Sequence, residues 1–275
     1  MDSFLVGLVG TGIGPSLSPA LHEREADRLG LRYLYRRLDL DELGVPPEGV
    51  GDLLAAARLS GYDGLNITHP CKQLVLQHLD ELDATAAALG AVNTVVFRDG
   101  TAIGHNTDTT GFARAMRTGL PDVELDHVVL LGAGGAGAAC AHALSTSRLT
   151  VFDRDTDRAV ALVSQLGDRA ELGRSLDAAL DTADGFVHAT PTGMDAHPGL
   201  PLPADLLDPR LWVADVVYRP LATALVETSR ARGCRVLDGG RMAVFQAADA
   251  FRLFTGRTPD ADRMLRFFNT LEVRQ

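Results

Sequence analysis

The run HVVLLGAGGAGAACAHAL, residues 127–144, constrains the fold more than any other stretch. An apolar strand pattern meets a glycine turn and passes straight into an alanine-rich helical pattern. That order opens a βαβ unit, whose second strand must lie parallel to the first. Gly132, Gly134 and Gly137 fit the spacing G-x-G-x-x-G, with Gly135 as an additional glycine. The first glycine permits a tight turn, the second lets backbone approach a pyrophosphate, and the third lets helix and strand pack closely. The helix start offers N–H groups and a positive dipole end to an anion. Glycine turns also occur for purely structural reasons, so context has to decide. The next strand pattern, LTVF, ends at Asp153, and 153 − 132 = 21 residues, near the roughly 20-residue spacing of a ribose-binding acid. A carboxylate there favours NAD over NADP, whereas the adjacent Arg154 is a guanidinium that suits a 2′-phosphate. A solvated charge at a strand end is the plain alternative for both.

Around this unit, short β-rich runs alternate with longer helical patterns. FLVGLVG, YLYRRLDL, GLNI and AVNTVVF read as strands, with LHEREADRLG, VGDLLAAARLS and KQLVLQHLDELDATAAALG as helices between them. After Asp108, TTGFARAMRTG reads as a helix. LTVFDRD, ADGFVHATP, LWVADVVY and CRVLDGG then continue a second strand series, and the tail from Arg241 is helical with a Gly-Arg-Thr-Pro break. Two consecutive series of this kind imply two parallel-sheet α/β units.

The 275 residues carry a formal net charge of −10, which leaves no global basic footprint for nucleic acid or an anionic membrane. Any anion site must therefore be built locally. Cys71, Cys140 and Cys234 form no metal-like cluster and read as reduced, buried thiols. No run approaches the roughly 20 apolar residues of a membrane span, and MDSFLVGLVG reads as a first strand rather than a signal peptide. The expectation is a soluble cytoplasmic protein, monomeric or homodimeric, without a metal.

GLNITHPCKQ (64–73) places Asn66, Thr68 and Lys72 just beyond a strand-like run. Alone, Lys72 reads as a solvent-facing charge, Asp108 as a helix cap, and Asn66, Thr68, Asn93 and Asn106 as ordinary turn residues. Together they stand where open α/β sheets put their ligands.

These motifs carry a resemblance. SLSPALH (16–22), NITHPCK (66–72), GAVNT (90–94), NTD (106–108), GAGGAG (132–137), ATPTGM (189–194), DVVY (215–218) and GGRMAVFQA (239–247) run collinear with the shikimate dehydrogenase superfamily. Within it, THPCKQ, the acidic VFDRD and the tail RMAVFQAADAFRLFTG are most similar to the NAD-linked quinate/shikimate dehydrogenases. The resemblance implies an α/β fold of two domains. A substrate domain with a mostly parallel sheet would span 1–105 and be completed by 241–275. A Rossmann domain would span 106–240, with the active site in the interdomain cleft.

It further implies Lys72 and Asp108 as the catalytic pair. Ser16 and Ser18 would hold the substrate carboxylate, with Tyr218 near it, and Asn66, Thr68, Asn93 and Gln246 would bind ring hydroxyls. Gly132, Ala133, Gly134, Gly135, Ala136, Gly137, Asp153, Arg154, Thr190, Val216, Gly239 and Met242 would line the cofactor, NAD with NADP use left open by Arg154. His188 replaces an asparagine common in the family and reads as structural. The implied activity is reversible oxidation of shikimate to 3-dehydroshikimate, of quinate to 3-dehydroquinate, or both. The alternatives are a dehydrogenase of an aminated analogue, a related folate-type dehydrogenase and a non-catalytic metabolite sensor.

Overall fold

A computed structural model describes residues 2–272 and divides the chain into two units. The first comprises residues up to Thr110 and returns from Val244 onward; the second runs from Gly111 to Ala243. Both changes of unit fall inside helices, Thr107–Gly119 and Gly240–Thr255.

The sheet of the first unit contains β1 (Ser3–Gly10), β2 (Arg32–Asp39), β3 (Gly64–Ile67), β4 (Glu81–Leu82), β5 (Thr94–Arg98) and β6 (Thr101–His105), in the order β2-β1-β3-β5-β6-β4. β1 alternates its side chains between two cores, as a period of two requires. Val6 and Leu8 pack with Ala250 and Phe254 of the returning helix, while Val9 packs with Leu54, Leu65, Ile67 and Val75 on the other face.

The sheet is mostly parallel, as the resemblance implies, with one reversed strand. β5 is antiparallel to both β3 and β6. β6, absent from the sequence reading, closes a hairpin at Asp99-Gly100, both with positive φ (52° and 79°). The dipeptide Asp-Gly between two β-rich runs was its signal. Residues 72–90 also depart from one long helix. Helix Cys71–Leu74 gives way to a 3-10 turn, then to β4, and a new helix starts at Ala84. The acids cause this break: Asp80 accepts the Ala102 amide, and Asp83 caps the new helix by accepting the Ala86 amide at 2.7 Å.

The second unit holds β7 (His127–Leu131), β8 (Arg148–Phe152), β9 (Ala170–Leu172), β10 (Gly185–His188), β11 (Trp212–Asp215) and β12 (Arg235–Leu237). The order is β12-β11-β10-β7-β8-β9 and every pairing is parallel. Reading outward from β7 in both directions, this is the doubly wound order 3-2-1-4-5-6, with its switch point between β7 and β10. Buried side chains such as Val129, Phe186, Val213 and Leu225 fill its core.

Candidate active site

At the first sheet, the ends of β1, β3 and β6 and the beginning of β5 lie on one edge, because β5 runs against its neighbours. That edge carries a continuous polar network. Tyr35 donates to Asn66 Oδ1 at 2.7 Å, and Asn66 Nδ2 donates to Thr94 Oγ1 at 3.0 Å. Thr94 donates to Asn93 Oδ1, which also accepts the Thr107 amide at 2.8 Å. Asn93 Nδ2 donates to Asp108 Oδ1 at 2.8 Å, and Lys72 Nζ donates to Asp108 Oδ2 at 2.5 Å.

Burial gives these bonds their weight. Asn66, Asn93, Thr94, Thr107 and Asp108 are all buried, whereas the Lys72 side chain keeps 20% of its surface. The ion pair is thus sheltered on the carboxylate side and accessible on the ammonium side. Asp108 does not cap its helix; Asn106 does, accepting the Asp108 amide at 3.1 Å and donating to the Ala91 carbonyl. The Asp108 carboxylate is thereby left for Asn93 and Lys72. The lysine is placed by its own backbone, since its carbonyl accepts the amide of Val92, next to Asn93.

Thr68 follows β3 and is half-buried. Ser16 and Ser18 form a turn in which Ser16 Oγ accepts the Ser18 amide at 3.3 Å. Ser18 opens the helix Ser18–Arg28, whose cap residue Leu17 supplies no side-chain bond and whose second residue, Pro19, carries no amide hydrogen. Buried Asp39 fixes the approach to this turn by accepting the amides of Gly12 and Ile13. Gln246 is half-buried on the returning helix.

The residues picked for a cofactor gather at the C-terminal edge of the second sheet. Gly132 has φ +109°, and a Cβ on Gly137 would lie 1.8 Å from the Gly132 carbonyl oxygen, so neither position admits a side chain. The site of a Cβ on Gly134 faces open space. Gly135 and Ala136 begin the helix that follows. Asp153 Oδ2 accepts the Ala133 amide at 2.6 Å and Oδ1 accepts that of Asp155, tying β8 to the glycine turn; Arg154 is exposed. Thr190 lies against Gly132, and Gly239 admits the Val216 and Val217 carbonyls at close range. Met242 is buried and Tyr218 half-buried in the same unit. A cradle with a close strand–helix approach, an open second glycine and outward helix amides fits a dinucleotide pyrophosphate.

The sequence reading missed Tyr35, Thr94 and Thr107, which complete the network around Asn66 and Asn93. Thr94 and Thr107 stand inside the motifs GAVNT and NTD, but a tyrosine within a strand pattern carries no such signal. His105 is bound to Asp83 at 2.8 Å, and Trp212 is a core residue whose Nε1 donates to the Glu124 carbonyl. The three cysteines are free and buried, and no group of metal-binding side chains occurs among the described residues. Nor is any helix among them long and apolar enough to cross a membrane.

Comparison with known proteins agrees along nearly all of the chain. Residues 8–95 match the model of the shikimate dehydrogenase substrate binding domain, and 240–266 that of the shikimate 5′-dehydrogenase C-terminal domain. A shikimate dehydrogenase (NADP(+)) of Streptomyces avermitilis is 66% identical over 96% of this chain and 94% of its own length. A quinate/shikimate dehydrogenase (NAD(+)) of Corynebacterium efficiens is 50% identical over 98% and 99%. The solved quinate dehydrogenase from Corynebacterium glutamicum in complex with NAD superposes with a TM-score of 0.91 at 47% identity, covering 98% of this chain and all of that one.

Proposed function

The chain belongs to the shikimate dehydrogenase family, and on that premise we propose that Lys72 and Asp108 carry out its proton chemistry. It is an NAD(P)-dependent oxidoreductase that reversibly oxidises a ring alcohol of shikimate or quinate to the ketone. Nicotinamide, when bound, supplies the hydride acceptor. The chain must do the rest: hold the carboxylate, orient the hydroxyl and move its proton.

The observation that carries the reading is the Lys72–Asp108 pair, sheltered at the carboxylate and open at the ammonium. Nζ is the group within reach of solvent-side ligand, so it exchanges the proton with the substrate hydroxyl. Asp108, fixed on its other oxygen by Asn93, holds Nζ in place and offers the same hydroxyl an acceptor. The Ser16–Ser18 turn, at a helix start, takes the substrate carboxylate through the hydroxyl donors of Ser16 and Ser18. Thr68 and Gln246 present the remaining polar contacts. Asn66 and Asn93 have most of their hydrogen-bonding capacity committed within the protein, so their contribution is chiefly to shape this wall.

For the cofactor, Gly132–Gly137 receive the pyrophosphate, and Thr190, Val216, Gly239 and Met242 border the nicotinamide half. We favour NAD because Asp153 places a carboxylate at the end of β8, where a 2′-phosphate would meet like charge. NADP is the second reading, supported by exposed Arg154 and by the name of the Streptomyces relative. Three buried free thiols suit the reducing cytoplasm, where we place the enzyme.

The test is an initial-rate matrix of shikimate and quinate against NAD and NADP, followed at nicotinamide absorbance, with Lys72→Ala in parallel. Turnover mainly with NAD supports the Asp153 reading; turnover mainly with NADP assigns the pocket to Arg154. Lys72→Ala should lower kcat by about 10²–10⁴-fold with KM little changed. A near-normal kcat in that variant would remove Lys72 from the mechanism.

A further inference from the structure

His188 and Asp215 end adjacent strands, β10 and β11, and both are almost wholly inaccessible at 0% and 2% exposure. Asp215 collects three donors. Oδ1 accepts from His188 Nδ1 at 2.9 Å and from the Val217 amide at 3.0 Å, and Oδ2 accepts from the Thr223 hydroxyl at 2.6 Å. Thr223 is itself fixed as the cap of helix Ala224–Ala231, accepting the Val226 amide. A carboxylate can only accept, so the proton on His188 sits on Nδ1. In the neutral imidazole Nε2 then carries the lone pair and faces Thr190 Oγ1, 2.6 Å away, as an acceptor. The Thr190 hydroxyl must spend its one proton on that nitrogen.

What remains on Thr190 is lone-pair capacity. One lone pair takes the Thr192 amide at 3.3 Å. The other is available on a half-buried residue whose methyl lies against Gly132, at the switch point of the sheet. We propose that His188, held in one tautomer by Asp215, is a positioning residue that makes Thr190 an obligate hydrogen-bond acceptor for a donor group of the bound dinucleotide. This rests on the reading of that sheet edge as the dinucleotide site. Two groups of the nicotinamide half share the required chemistry, the carboxamide NH₂ and a ribose hydroxyl. Replacing His188 by the shorter asparagine keeps a donor for Asp215 but cannot reach Thr190.

The experiment measures dissociation constants of NAD and of its 3-acetylpyridine analogue, in which a methyl ketone replaces the carboxamide. The proteins are the intact enzyme, Thr190→Val, His188→Asn and the double variant. Thr190→Val should weaken NAD by about 5–10-fold, one hydrogen bond's worth, and His188→Asn by a smaller factor in the same direction. The double variant should be no worse than Thr190→Val, because His188 acts only through that hydroxyl. If the carboxamide is the donor, the analogue is indifferent to both substitutions; if a ribose hydroxyl is, both dinucleotides weaken alike. Unchanged affinity for both dinucleotides overturns the proposal.

Nitrogen-15 NMR of the unsubstituted protein tests the tautomer without any variant. It should show a protonated Nδ1 and a bare Nε2, and a proton on Nε2 would overturn the proposal. An intact enzyme that bound neither NAD nor NADP would bring down the dinucleotide reading itself, whereas normal binding without these differences sinks only the role of His188.

Discussion

Asn93 uses both ends of one amide to join β5 to the helix Thr107–Gly119. Its oxygen serves Thr107 and Thr94, and its nitrogen serves Asp108. Asn93→Ala should cost about 1–3 kcal/mol of stability, because buried groups lose their partners. Asn93→Asp should be worse near neutral pH, for it sets an oxygen against Asp108 Oδ1 where a donor stood at 2.8 Å, and two carboxylates then share a buried site. Denaturant titration of both variants would show the ranking, and the Asp variant should recover part of its loss as pH falls and one carboxyl takes a proton. His22 gives a second test at this scale. Enclosed among Tyr33, Tyr35, Phe251 and Phe254, it is fully buried, and burial pushes its imidazole down to about 3. The unfolded chain binds this proton near pH 6.5 and the folded one does not. Its contribution is therefore complete above that pH and is lost as pH falls towards 3. From pH 6.5 to about 4.5 the loss is about 2–3 kcal/mol. His22→Phe should flatten the stability-versus-pH curve by that amount; an unchanged slope would mean that other groups set it.

Among the elements, the glycine turn separates packing from binding. Gly137→Ala puts a methyl 1.8 Å from the Gly132 carbonyl oxygen, so the helix Gly135–Ala143 must move off β7 and the second unit should be destabilised. Gly134→Ala meets no atom within 4 Å and has φ −77°, so the protein should fold normally. Its methyl would instead stand in the space reserved for pyrophosphate, and dinucleotide affinity should fall by about tenfold or more. Thermal melts with dinucleotide titrations distinguish the two effects. This turn was legible in the sequence because its spacing is local, Gly137 answering to Gly132 five residues before it, although the Ala189 and Thr190 that crowd Gly132 are distant in the chain. The strand ends were legible for a similar reason, since polar residues interrupt apolar runs there. The break between Cys71 and Ala84 was not. Its periodicity favours one helix, and only pairing of β4 with distant β6, together with Asp80 and Asp83 turned to backbone amides, overrides it. The reversed direction of β5 was hidden as well, because alternation reports a strand but not which way it runs.

Over the whole molecule, residues far apart in sequence supply each site. Lys72 and Asp108 are 36 positions apart yet 2.5 Å apart in space, and motif order alone could not reveal that Asn93 and Asn106 arrange the pair. With a net charge of −10, the protein must bind an anionic substrate and an anionic cofactor through local donors against its overall field. Ligand protection should then be confined to those donors. Hydrogen exchange in the presence of dinucleotide at about 100 times its Kd should slow amides of 132–137 and 188–193, by up to about 100-fold where exchange requires release of the ligand. Shikimate alone should instead protect 16–18, 66–72 and 106–108, leaving the glycine turn near its free rate. The two patterns belong to different units, so each ligand serves as the control for the other. If shikimate protected the glycine turn and dinucleotide protected the Ser16–Ser18 turn, the two assignments would have to be exchanged. If both ligands protected the same amides equally, a local origin of anion binding would be wrong. The measurement therefore tests the division of labour, not merely the presence of binding, and needs no substitution in either site.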